Sequence, residues 1–320
     1  EELNAVELGS LTTLGAFLRV RDNYDLSEFS APNLVSVHDW SEIESNHSMT
    51  TLDLSGLEYT TDNLLITSHS TLNDIRLDSL TSVGGSLYVN NANSLLDLTV
   101  PSLETIGYNL EIRNNSNLRS INLPAFDETG NTIQIEDNGD LETIEADALT
   151  TVGYSIIFRN NPDLYTISMD VISCVTDFVI ESHSLSDDDY IALLSTLTCT
   201  PEGSLSVFGG DDASAFCAAG STTVDGLYIN ATGSDPINLS CITEVTGTLE
   251  IENTTAPSID LSGVNTVGGQ LLIRENTDLE TVYLTGLASV GSHMDIKNND
   301  ELRTVYAAGL NSVGGHFDMG

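Results

Sequence analysis

The chain has 320 residues, 40% of them hydrophobic, with 48 acidic side chains against 9 basic ones and a formal net charge of −39. Gripping phosphate needs a basic footprint, so this balance excludes nucleic acid and anionic membrane surfaces as natural partners. The sequence holds no apolar run long enough for a spanning helix, and it opens at Glu1-Glu2-Leu3 already inside a repeat, as expected of a mature or trimmed protein.

Residues 1–182 read as a first array of short repeats. A glycine or small polar residue follows a hydrophobe at Gly15, His38, Thr61, Gly84, Gly107, Gly130, Gly153 and Thr176, always 23 positions apart. A fixed period in this range marks stacked supersecondary units. Each period carries short apolar runs that alternate with polar residues, such as Leu110-Glu111-Ile112 and Ile121-Asn122-Leu123, and that alternation belongs to strands. The expected fold is therefore all-β: a right-handed β-solenoid, or β-helix, of ~23-residue turns with rungs about 4.8 Å apart. Eight positions after the anchor stand Asn23, Asn46, Asn115, Asn138, Asn161, Asn276 and Asn299. They are predicted to form a structural ladder and to take the left-handed backbone of a tight corner. Trp40 reads as an aromatic filling a looser corner, with an exposed platform for a sugar as its alternative.

Residues 183–200 break the pattern. Ser186-Asp187-Asp188-Asp189-Tyr190-Ile191-Ala192-Leu193-Leu194 predicts one short helix at a central junction, capped by Ser186 or Asp187, with Ile191, Leu194 and Leu197 facing inward. The adjacent aspartates lack the spacing of a calcium loop and suit helix capping better.

Residues 201–320 form the second array, anchored at Glu202, Asp225, Thr246, Gly268, Gly291 and Gly314. Cys174, Cys199, Cys217 and Cys241 flank the junction. Four cysteines allow three connectivities; stacking of successive turns favours 174–199 and 217–241, and disulfides imply an oxidising compartment. Sequons at Asn46, Asn114, Asn230, Asn238 and Asn253 agree with secretion. Asn46 belongs to the ladder and is expected to stay bare. Asn114 and Asn253, one residue before that column, are the best candidates for glycans, followed by Asn230 and Asn238.

The pattern Val83-Gly84-Gly85-Ser86-Leu87-Tyr88-Val89, an asparagine corner and the following Leu95, Leu98 and Val100 resembles the receptor L-domain family. That family, a leucine-rich-repeat-like group, includes insulin-receptor-like ectodomain lobes and GPI-anchored fungal cell-wall proteins. Cys217 to Ile251, with Val224-Asp225-Gly226-Leu227-Tyr228-Ile229 and Cys241, is similar to the start of such a domain. The resemblance spans nearly the whole chain and implies a ligand-binding or cell-surface role.

No chemistry stands out. Outward acids such as Glu111, Glu250, Asp295 and Asp318 scatter along the chain, the histidines do not cluster, and no nucleophile elbow, phosphate loop or zinc pattern is present. No catalytic, cofactor or metal residue is assigned, and loosely held Ca2+ on the acidic coat is the only cation allowed for. The expectation is an extracellular or cell-surface structural glycoprotein that assembles head to tail or laterally with itself, or with other extracellular proteins and glycans. Leu65, Tyr88, Ile157 and Leu272 are predicted as its contact face. The alternative is a receptor-like or adhesive ectodomain binding a peptide or glycan; an ice-binding face on Thr143, Thr166, Thr281 and Thr304 ranks last.

Overall fold

The computed structural model describes residues 3–169, 175, 177–180, 184–185, 204–207, 213–214, 216–217, 222–231 and 233–320. The predicted helix, Cys174 and Cys199 lie outside the described residues. Two compact units result: Glu1–Ser173 with Ile180–Leu185, and Cys174–Val179 with Ser186–Gly320. Both are all-β and wind as right-handed solenoids of parallel strands. Among the described residues, only Ala213, Ser214, Phe216 and Cys217 are helical, and no helix is long and apolar enough to cross a membrane.

One turn shows why the sequence folds this way. After Gly107 the chain runs Leu110–Arg113, turns at Asn114-Asn115, runs Ser120–Asn122, turns again and adds the two-residue strand Glu128–Thr129. Most strands pair with their counterparts one turn before and after, although one column of strands is interrupted between Asp74–Arg76 and Asp97–Thr99. Leu87, Leu110, Ile133 and Ile156 are successive partners in one register, and Leu98, Ile121, Ile144 and Ile167 in another. A period that matches the length of one turn puts like over like, so the inward columns are mostly stacks of leucine, isoleucine and valine, with exceptions such as Ser41 and Met294. Leu103, Ile106, Leu110, Ile112, Leu118 and Ile121 are all buried, and Phe126 and Phe158 are the largest fully buried side chains among the described residues.

The glycines at the turn starts serve close packing. A Cβ on Gly107 would meet the backbone oxygen of Gly84, one on Gly130 that of Gly107, and one on Gly153 that of Gly130, each well inside van der Waals contact. The second unit repeats this at Gly268, Gly291 and Gly314.

Two expectations need correction. The left-handed residue is not the ladder asparagine but the one before it: Asp22, Ser45, Ser68, Asn91, Asn114, Asp137, Asn160, Asn253, Glu275 and Asn298 have φ between 51° and 63°. The ladder residue instead turns its amide inward, where its hydrogen bonds are. In the second unit the anchors hold, since Val224, Val245 and Val267 are successive partners, but Leu205, Leu227, Leu249 and Leu271 pair at steps of 22, so the strand after Asp225 begins one residue earlier than the cadence predicts.

Candidate functional site

Strand register places the outward side chains in columns, and the long sheet of each unit shows what occupies them. Its bases are threaded between acids of the same or neighbouring rungs. Arg113 lies 3.7 Å from Glu111 and 3.3 Å from Glu136, Arg19 lies 2.9 Å from Glu42, Arg274 joins Glu250 and Glu252, and Lys297 lies 2.7 Å from Asp318. That ammonium holds the Asp318 carboxyl below its usual range. Exposed pairs of this kind contribute about 0–1 kcal/mol each, so they fix the order of the wall more than its stability.

The predicted contact residues do not form one contiguous patch, although Leu65, Tyr88 and Ile157 share one outward column. Leu65 and Tyr88 are partners on adjacent rungs and half-buried. Ile157 is separated from Tyr88 by the rungs of Glu111 and Gln134. Leu272 belongs to the second unit and is only 8% exposed, enclosed on its column by Glu250 and Asp295.

The asparagine ladder forms in segments. Asn115 donates from its backbone N–H (3.0 Å) and Nδ2 (3.2 Å) to Asn138 Oδ1, Asn138 does the same toward Asn161, and Asn23 toward Asn46. Each amide also reaches a strand carbonyl one turn back, Asn115 to Val89 and Asn138 to Ile112. Asn276 and Asn299 repeat the arrangement in the second unit. The sequons then separate by environment. Asn46 is fully buried with its amide on Val20 O, whereas Asn114 and Asn253 stand exposed on the left-handed corner. Asn230 is half-buried with Nδ2 on the Tyr228 hydroxyl, and Asn238 is exposed and accepts from Ser240 N–H and Oγ.

His69 and Ala92 interrupt the ladder. There the strands lengthen to Leu64–His69 and Leu87–Ala92, and the two residues become strand partners. The His69 ring is fully buried, with Nε2 3.0 Å from Ile43 O and Nδ1 3.2 Å from Asn46 O. A neutral imidazole has one N–H, so it serves only one of these carbonyls. Burial holds its pKa below the ordinary histidine value, against the pull of the two carbonyls. The unfolded chain therefore binds this proton more readily than the folded one. The stability due to neutral His69 is complete above the unfolded pKa of about 6.5 and declines as pH falls below it toward the folded value. His69→Asn is expected to remove that decline. Melting temperatures of the two proteins compared from about pH 7.5 down to pH 5 check it, and curves that stay parallel refute it.

Aromatic side chains stack from rung to rung, at corners and, for Tyr283 and Tyr306, on a strand column. Phe17 stacks on Trp40 at 4.7 Å with an interplanar angle of 2°, and the Arg19 guanidinium lies 4.5 Å from the Trp40 centroid. Trp40 thus packs with its neighbours and offers a sugar little bare ring. Tyr283 and Tyr306 stack at 5.2 Å, and His293 and His316 at 4.0 Å, with His316 Nε2 3.1 Å from Asp295. Tyr108 and Tyr154 stand exposed beside the glycine corner of the first unit. The reading of outward strand positions passed over these two, because they follow the anchor glycines and lie before the strand; a column alignment at one past the anchor is the signal that finds them.

Cys217 and Cys241 are disulfide-bonded, as stacking predicted. Among the described residues no group of three histidine, cysteine, aspartate or glutamate side chains is arranged to hold a metal ion. No family model, curated protein or solved structure matches this chain.

Proposed function

We propose that this protein is an extracellular structural glycoprotein, a repeat scaffold that assembles with copies of itself or with other surface components and has no catalytic role. The observation that supports this best is the wall itself: parallel strands in strict register, stitched inside by amide ladders and outside by rung-to-rung ion pairs. Such a wall repeats the same backbone geometry at every turn while its outward side chains vary, and a regular rung spacing suits repeated lateral contact. Leu65 with Tyr88 is the apolar spot nearest to a contact patch. The Cys217–Cys241 disulfide accords with an oxidising compartment, and Asn114 and Asn253 are the proposed glycan sites.

Negative-stain microscopy of the native, full-length protein tests the reading, with peptide mass mapping of the same material. Filaments, sheets or lateral arrays are the expected result, with glycans on Asn114 and Asn253 and none on Asn46. Isolated particles across a wide concentration range overturn the assembly and favour the receptor-like or adhesive ectodomain that the L-domain resemblance implies.

A further inference from the structure

We infer that the corner made by residues 84–86, 107–109, 130–132 and 153–155 is a binding site for a neutral polysaccharide chain lying along the stacking direction of the first unit. In a protein with 48 acids, these four consecutive rungs carry no charged side chain at this corner. Tyr108 is 57% exposed and Tyr154 49%. They hold the same position two turns apart, so their rings repeat at roughly 10 Å for a rung spacing of about 4.8 Å. Asn131 lies between them, its Nδ2 on Asn109 Oδ1 at 2.8 Å. The anchor glycines beside the rings have no side chains and leave a floor of bare backbone.

The strip is held rigidly. Tyr108 N–H donates to Gly85 O, Asn131 N–H to Tyr108 O and Tyr154 N–H to Asn131 O, at 2.8–2.9 Å. A second chain of bonds runs alongside, from Asn109 N–H to Ser86 Oγ and from Thr132 N–H to Asn109 Oδ1. The backbone that carries the rings is thus fixed, and a ligand has only their side-chain rotamers to order.

The chemistry selects the ligand. A tyrosine offers an apolar ring to the C–H face of a pyranose and a hydroxyl to its polar edge, and amides and hydroxyls nearby bond sugar hydroxyls without charge. Anionic chains are repelled, because Glu104, Glu111 and Glu128 flank the strip and Asp62 lies one rung below Gly85. A peptide adding as a strand needs free backbone groups, and these rungs already spend theirs on one another. The inference stands apart from the scaffold reading, which microscopy can refute without touching this site.

Affinity electrophoresis of the full-length chain in native gels cast with laminarin, mannan or hydroxyethylcellulose, and with alginate as the anionic comparison, tests it. Retardation by at least one neutral polymer and none by alginate is expected. Replacing both rings, Tyr108→Ala with Tyr154→Ala, is expected to weaken the interaction at least about tenfold. Tyr165→Ala, which removes an equally exposed tyrosine (47%) at another corner, should leave it unchanged. Because the substituted rings are exposed, an unaltered melting temperature confirms that the double variant is folded. No retardation in any neutral gel, retardation that survives the double substitution, or equal retardation by alginate overturns the proposal.

Discussion

Gly130→Ala is expected to destabilise the first unit by about 3 kcal/mol, lowering its melting midpoint by roughly 6–12 °C. The new methyl group would point at the Gly107 backbone oxygen, with the Gly107 carbonyl carbon and the Tyr108 nitrogen behind it. None of these atoms is the movable end of a side chain. The Gly107 peptide cannot retreat either, since its own rung is tied to those above and below: Gly107 N–H donates to Val83 O and Gly130 N–H to Ile106 O. The strain is therefore shared among several rungs or relieved by opening the corner, and both outcomes cost stability. Gly139→Ala provides the contrast. Its only near neighbour is Ser116 O at 3.9 Å, an ordinary contact, and its backbone lies outside the left-handed region. That substitution should stay within about 0.5 kcal/mol of the parent. Thermal circular dichroism of the two variants decides the matter, and equal midpoints would remove close packing as the reason for glycine at the turn start.

The same contrast shows which parts of the fold can be read without coordinates. The 23-residue cadence sets strand register directly, because a chain that turns once per period must place Leu110 between Leu87 and Ile133. The inward columns and the ladder asparagines follow from that alignment alone. Local backbone conformation does not. Asn114 and Asn115 are the same residue type, and composition cannot say which takes positive φ. In the fold the inward amide of Asn115 decides it, so the left-handed turn falls to Asn114. Asp22, Ser45 and Glu275 tolerate that turn too, and these are residues that a glycine-seeking eye passes over. The shift at Leu227 was also hidden, because a missing residue can be placed anywhere in a turn until strand pairing locates it.

The candidate site was harder to read for a different reason. Alternation identifies outward positions but does not say whether outward neighbours are alike. Leu272 faces outward by pattern, yet it is buried between Glu250 and Asp295 on its column. Arg113 reads as one base among scattered acids, whereas register sets it between two carboxylates. Tyr108 and Tyr154 sit at a corner, where period-two alternation has no meaning, and only the stacking of one rung on the next turns them into a column.

Asn138→Leu carries the second large effect, an expected loss of about 3–5 kcal/mol from the first unit. The side chain is fully buried and occupied on both sides. Its Oδ1 accepts from Asn115 N–H and Nδ2, and its Nδ2 donates to Ile112 O at 3.0 Å. Leucine has similar bulk but leaves the Asn115 donors and the Ile112 acceptor without those partners in a region that water does not reach. Each buried polar group stranded in this way costs about 1–3 kcal/mol. Ala92 shows how the chain dispenses with the amide, by extending a strand so that Ala92 pairs with His69. Rung 138 lacks that route, because both of its neighbours, Asn115 and Asn161, are asparagines that bond to it. Asn138→Asp separates hydrogen bonding from shape. Ionised aspartate still accepts from Asn115 but sets a negative oxygen against the Ile112 carbonyl, and burial raises its pKa. Once protonated it can donate to that carbonyl and accept from Asn115 as asparagine does. A group whose folded pKa is raised binds more protons folded than unfolded, so the Asp variant should gain stability relative to the parent as pH falls through its folded pKa, until the unfolded carboxyl also protonates near pH 4. Asn138→Leu should show no such recovery. Melting midpoints of the three proteins measured against pH give the answer; parallel curves for the Asp variant and the parent, or a Leu variant as stable as the parent, would mean that the ladder fills space without carrying the bonds drawn through it.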